Sequence, residues 1–120
     1  MTTLYHNPRC SKSRQALQLL EEKGETINVV KYLEDIPSKQ ELKQIIELLG
    51  IKPIELVRTQ EKEWKENFKD KDLSDEQIID AMIKNPKLIE RPIAVKGTKA
   101  VIGRPPENIL ELLYSTTSKV

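Results

Sequence analysis

The period of the apolar positions changes several times along this chain, and each change marks an element. Residues 2–5 are short and apolar enough for a strand. From Ser11 onward, Ala16, Leu17, Leu19 and Leu20 follow helical spacing, and Gly24 supplies the stop. Ile27-Asn28-Val29-Val30 is rich in β-branched residues and reads as a second strand. Such a β-α-β opening predicts two parallel strands joined by a right-handed crossover.

The middle of the chain reads as helical. Ser38 with Glu41 forms a capping-box pattern ahead of Leu42, Ile45, Ile46 and Leu49, and Gly50 closes the helix. Pro53 can start a short helix carrying Ile54, Leu56 and Val57. Ser74 with Gln77 repeats the cap before Ile78, Ile79, Met82 and Ile83, and Asn85-Pro86 ends that helix. Further on, Ile93-Ala94-Val95 and Ala100-Val101-Ile102 flank Lys96-Gly97-Thr98-Lys99, a hairpin pattern with glycine in the turn. Pro105-Pro106 then opens a last helix with Ile109, Leu110, Leu112 and Leu113. The predicted order is β-α-β, helices, β-β-α: an α/β fold with a mixed sheet flanked by helices and a helical insertion at about 35–85.

Composition narrows the class. A chain of 120 residues suits one compact domain, so a single domain over 1–120 is expected. One cysteine cannot close an internal disulfide, and with one histidine it cannot build a structural zinc site. Twenty basic residues against nineteen acidic ones leave no net field for nucleic acid or an acidic membrane surface. No apolar run approaches membrane-spanning length, and the start carries no signal-peptide pattern. A free thiol suits a reducing compartment, so a cytoplasmic protein is expected.

The chemistry gathers at Cys10, within Tyr5-His6-Asn7-Pro8-Arg9-Cys10-Ser11-Lys12-Ser13-Arg14. A strand hands over to a helix there, and the first amides of a helix lack internal partners. They favour a thiolate and can then bind an oxyanion attacked by it. Arg9, Lys12 and Arg14 add positive charge, while His6 is either a charged partner of the thiolate or a group that orients the loop. A free cysteine can also be a small buried hydrophobe, but polar neighbours on both sides weigh against that. Asn7, Ser13 and Arg14 are further loop contributors. Ser13 stands where a C-x-x-C motif has its second cysteine, so oxidised Cys10 needs an external thiol to resolve it.

Five arginines stand against fifteen lysines. Arg58 follows the short Ile54–Val57 segment, Arg91 precedes Pro92 and a strand, and Arg104 lies between Gly103 and Pro105. A guanidinium offers forked, always-charged donors to an oxyanion, which lysine cannot match. Salt bridging or backbone capping explains the same spacing equally well. Arg91-Pro92 is a candidate cis bond.

Tyr5-His6-Asn7-Pro8-x-Cys10-x-x-Ser13-Arg14, Tyr32-Leu33-Glu34, Arg58, Asn85-Pro86 through Arg91-Pro92-Ile93, and Gly103-Arg104-Pro105 together resemble the glutaredoxin-linked arsenate reductase family almost end to end. The loop version Asn-Pro-Arg-Cys-Ser-Lys-Ser-Arg looks like one subgroup of it. The resemblance implies a thioredoxin-like fold with a helical insertion and no bound cofactor or metal. It implies that Cys10 attacks arsenate, that Arg58, Arg91 and Arg104 hold the oxyanion, and that His6 keeps Cys10 ionised. Glutathione and then a transiently bound glutaredoxin would complete reduction to arsenite, on a monomeric chain. Two other readings stand beside it. Spx-type regulators, which bind RNA polymerase, share the fold but use a C-x-x-C switch that Ser13 removes. A monothiol thiol–disulfide oxidoreductase fits Cys10-x-x-Ser13 but leaves the three arginines without a role.

Overall fold

The structure, a computed structural model, describes residues 1–114; residues 115–120 of the expected domain lie outside the described residues. The chain forms two compact units, one of residues 1–35 with the chain from 91 onward, the other of residues 36–90.

The first unit carries the sheet. Strand β1 (Thr2–Tyr5), helix α1 (Ser11–Glu22) and strand β2 (Ile27–Val30) make the expected crossover, and β1 runs parallel to β2. Strands β3 (Ile93–Lys96) and β4 (Lys99–Ile102) form the hairpin, with β3 antiparallel to β1. The sheet order is β2-β1-β3-β4. Lys96 pairs with Lys99, so the turn is Gly97-Thr98, and Gly97 adopts φ +60°, the glycine-first geometry of a two-residue hairpin loop. This arrangement is thioredoxin-like.

Buried side chains explain why the elements close on one another. Leu4 of central β1 and Ala94 of β3 face each other across the ladder and are completely buried. Around them pack Ala16 and Leu20 from α1, and Ile109 and Leu112 from the C-terminal segment. That segment is a 3-10 turn, Pro106–Leu110, leading into α5 (Glu111–Tyr114). Each such leucine contributes about 1.5–3 kcal/mol by leaving water. At the other end of the sheet, the buried Thr2 hydroxyl donates to Glu25 Oε1 at 2.7 Å, and Lys96 Nζ pairs with the same oxygen at 2.6 Å. One carboxylate thereby ties β1, the approach to β2 and the end of β3.

The unit of residues 36–90 holds α2 (Lys39–Leu49), a 3-10 turn Pro53–Leu56, α3 (Lys62–Asn67), α4 (Asp75–Lys84) and a 3-10 turn Pro86–Leu88. Ser38 and Ser74 cap α2 and α4, their hydroxyls accepting from the N–H of Glu41 and Gln77. Leu42, Ile45 and Ile46 of α2 and Ile78, Ile79 and Met82 of α4 are the buried stripes. Helix α3 was not anticipated; its Trp64 is buried and stacks on Phe68 with ring centres 5.4 Å apart. Val57 and Ile89 meet in an isolated antiparallel bridge, beside which Arg58 N donates to the Leu88 carbonyl at 2.7 Å.

Candidate active site

The buried face of α1 decides the shape of the loop before it. Ser13, Ala16 and Leu20 lie on one stripe at helical spacing, so the Ser13 hydroxyl is carried fully into the interior. A buried hydroxyl needs partners. Its oxygen accepts the Asn7 N–H at 3.0 Å and lies 2.7 Å from His6 Nδ1. Asn7 then shapes the turn: its carbonyl accepts Cys10 N at 3.0 Å, and its Oδ1 accepts Arg9 N at 3.0 Å. Arg14 reaches back from α1 to the Pro8 carbonyl at 2.9 Å. Asn7, Ser13 and Arg14 are therefore the braces of the loop.

Cys10 is the N-cap residue of α1 and is partly exposed. Its sulfur occupies the place where a serine or aspartate side chain would receive the first helical amides. The sulfur makes no capping hydrogen bond of full geometry, yet the N–H groups of Lys12 and Ser13 act on its charge. Burial pushes the thiol up. The N–H of Ser13, the Arg91 guanidinium, the N–H of Lys12 and the charge of Arg91 together outweigh that, so its pKa lies below the ordinary thiol value. Arg104 Nη2 also donates toward the sulfur at 3.7 Å. The same guanidinium uses Nε to donate to the Arg91 carbonyl at 2.8 Å, and Asn108 Nδ2 donates to the Arg104 carbonyl at 3.1 Å. Both Arg91-Pro92 and Arg104-Pro105 are cis.

His6 is only 5% exposed. Burial, then the charges of Lys31 and Arg14, hold its pKa below the ordinary imidazole value. With the Ser13 oxygen already accepting the Asn7 N–H, its hydroxyl proton is available to Nδ1 of a neutral ring. Of the two roles left open by the sequence, this geometry favours orientation of the loop over a charged partner for the thiolate.

Arg58 belongs to the unit of residues 36–90, where its guanidinium pairs with Glu61 at 3.3 Å and Glu90 at 3.6 Å. Asn108 has no local sequence signature, because its contact with the Arg104 carbonyl spans the C-terminal turn. Among the described residues, no group of three or more His, Cys, Asp or Glu is placed to hold a metal, and no helix is long and apolar enough to cross a membrane.

A thioredoxin-like sheet with a cysteine at the N-cap of its first helix, flanked by two arginines, defines a class of thiol-based proteins suited to anions. Within that class, the ArsC family model matches residues 5–112, and the chain belongs to the ArsC family. It is 45% identical over 112 residues to a protein named arsenate reductase from Haemophilus influenzae, covering 92% of this chain and 97% of that one. It is 50% identical over 112 residues to YfgD, an uncharacterized protein of Escherichia coli K12, covering 92% and 94% of the two chains. The solved structure of an arsenate reductase from Vibrio cholerae superposes with a TM-score of 0.88 at 48% identity, covering 92% of this chain and 95% of that one.

Proposed function

We propose that this protein is an arsenate reductase whose nucleophile is Cys10. The observation that carries the reading is the partly exposed Cys10 sulfur held below its ordinary pKa, with helix amides, Arg91 and Arg104 around it. Thiolate attack on arsenic forms a sulfur–arsenic bond as one arsenate oxygen leaves as water. Arg91 and Arg104 neutralise the remaining oxygens, a preorganised effect typically worth about 3–4 kcal/mol per donor. Glutathione adds to the arsenic next, displacing a second oxygen as water. A glutaredoxin thiolate then attacks the glutathione sulfur. The electron pair of the arsenic–sulfur bond stays on arsenic, which becomes trivalent, and the two external thiols leave as a mixed disulfide. Hydrolysis of the Cys10–arsenic bond frees arsenite and restores the thiol.

Arg58, the third oxyanion holder by resemblance to the family, has its guanidinium paired with Glu61 and Glu90. The chain acts as a cytoplasmic monomer without a bound cofactor, where small thiols are kept reduced. Its loop holds no second thiol for the disulfide switch of a regulator. The test is arsenite formation from arsenate with glutathione and glutaredoxin supplied. Wild-type protein is expected to turn over and Cys10→Ser to be inactive; turnover by Cys10→Ser would refute the nucleophile assignment.

A further inference from the structure

Arg91 and Arg104 lie across from each other at the open end of the β3–β4 hairpin, two residues beyond the Ile93–Ile102 pair, and how closely the two segments approach there decides where the guanidinium groups sit. Gly103 is buried, and its N–H donates to the Pro92 carbonyl at 2.8 Å. A Cβ at this position would stand 2.8 Å from Pro92 Cγ and 3.0 Å from Ile109 Cγ1. Neither neighbour is the loose end of a flexible chain: Pro92 is a ring and Ile109 is completely buried in the core. Gly103 is not one of the positive-φ glycines, so the requirement here is space rather than backbone freedom. The residues flanking this contact are the two arginines themselves. Arg104 follows Gly103 and donates Nε to the carbonyl of Arg91, which precedes Pro92. Asn108 holds the Arg104 carbonyl from the following turn.

We propose that Gly103 is a positioning residue: its missing side chain lets the 103–104 segment close on 91–92, setting both guanidinium groups on Cys10, with Asn108 as the second anchor. Its bearing on catalysis rests on the reading of Arg91 and Arg104 as anion holders, but its effect on Cys10 can be read without arsenate. In Gly103→Ala, the added methyl pushes the segments apart, lengthens the Arg104–Arg91 contact and draws positive charge away from the sulfur.

The experiment is the pH dependence of Cys10 alkylation by iodoacetamide in Gly103→Ala, Asn108→Ala and Leu20→Ala, each checked for folding by circular dichroism. Gly103→Ala is expected to raise the titration midpoint, each unit of rise slowing alkylation at neutral pH by up to about tenfold. Asn108→Ala is expected to move it in the same direction by less. Leu20→Ala is expected to lower the melting temperature with the midpoint unchanged, which separates positioning from general loss of stability. A folded Gly103→Ala protein with the wild-type midpoint overturns the proposal. So does a wild-type midpoint in Asn108→Ala should Gly103→Ala fail to fold. Lack of arsenite formation by the wild type would instead refute the functional reading, and the alkylation result would still decide the role of Gly103.

Discussion

The Nδ1 of His6 and the hydroxyl of Ser13 lie 2.7 Å apart in the interior, seven residues apart in the chain. Ser13, which ends the C-x-x-S loop, is thus a structural brace, and the histidine is its partner. Ser13→Ala strands the Asn7 N–H and the imidazole nitrogen together. Leaving buried polar groups unpaired costs about 1–3 kcal/mol each. With two groups stranded, denaturant melts should show a loss of about 2–6 kcal/mol, and a change below about 0.5 kcal/mol would show that Ser13 is no brace.

The same pair sets a pH response. Burial, Lys31 and Arg14 lower the His6 pKa in the folded protein, so the unfolded chain takes up its proton first as pH falls. This contribution to stability is intact above the unfolded value of about 6.5 and is lost as pH drops from there toward the folded value. The melting temperature should fall across that window, and His6→Gln should flatten the fall. An equal slope in the variant would contradict it.

Arg91 and Arg104 divide their work differently. Arg91 acts on the Cys10 charge and Arg104 approaches the sulfur at 3.7 Å while bracing the Arg91 carbonyl. Arg91→Ala should raise the Cys10 titration midpoint and weaken arsenate saturation; Arg104→Ala should chiefly raise KM. Arg58→Ala is expected to raise KM as well. Steady-state kinetics with arsenate varied give the comparison, and unchanged kcat/KM in all three variants would reduce them to structural charges.

Glu25 offers a test away from the chemistry. Its carboxylate accepts from Thr2 and pairs with Lys96, and these contacts, with the Lys96 one foremost, hold its pKa below the usual carboxylate range. Glu25→Ala should cost about 1–3 kcal/mol. Glu25→Gln, which keeps an acceptor for Thr2, should cost less. Equal losses would show that the Thr2 bond contributes little.

Local signals made much of this legible beforehand. Serine caps at Ser38 and Ser74, the Gly97 turn and the cysteine at the start of α1 each act within a few residues. Helix α3 escaped because Trp64 and Phe68 are the only large apolar side chains in a run of charges, too few to show a period. The C-terminal helix was expected whole, but it begins as a 3-10 turn after the Pro105-Pro106 pair. The link between Arg104 and the Arg91 carbonyl joins residues thirteen apart through the hairpin. The hairpin turn fixes the register that sets these two residues across from each other, but the contact itself depends on close packing at Gly103, which residue spacing does not show.

The opening turn of α1 contains no acidic side chain, whereas α2 and α4 each begin with one or more. An ionised Cys10 therefore supplies the negative end that this helix otherwise lacks. Because its pKa is depressed on folding, that support exists at alkaline pH and disappears as acidification carries the thiol through its folded-state value. Reactivity and cohesion rise together here: the armed nucleophile is also the form in which the molecule holds together best.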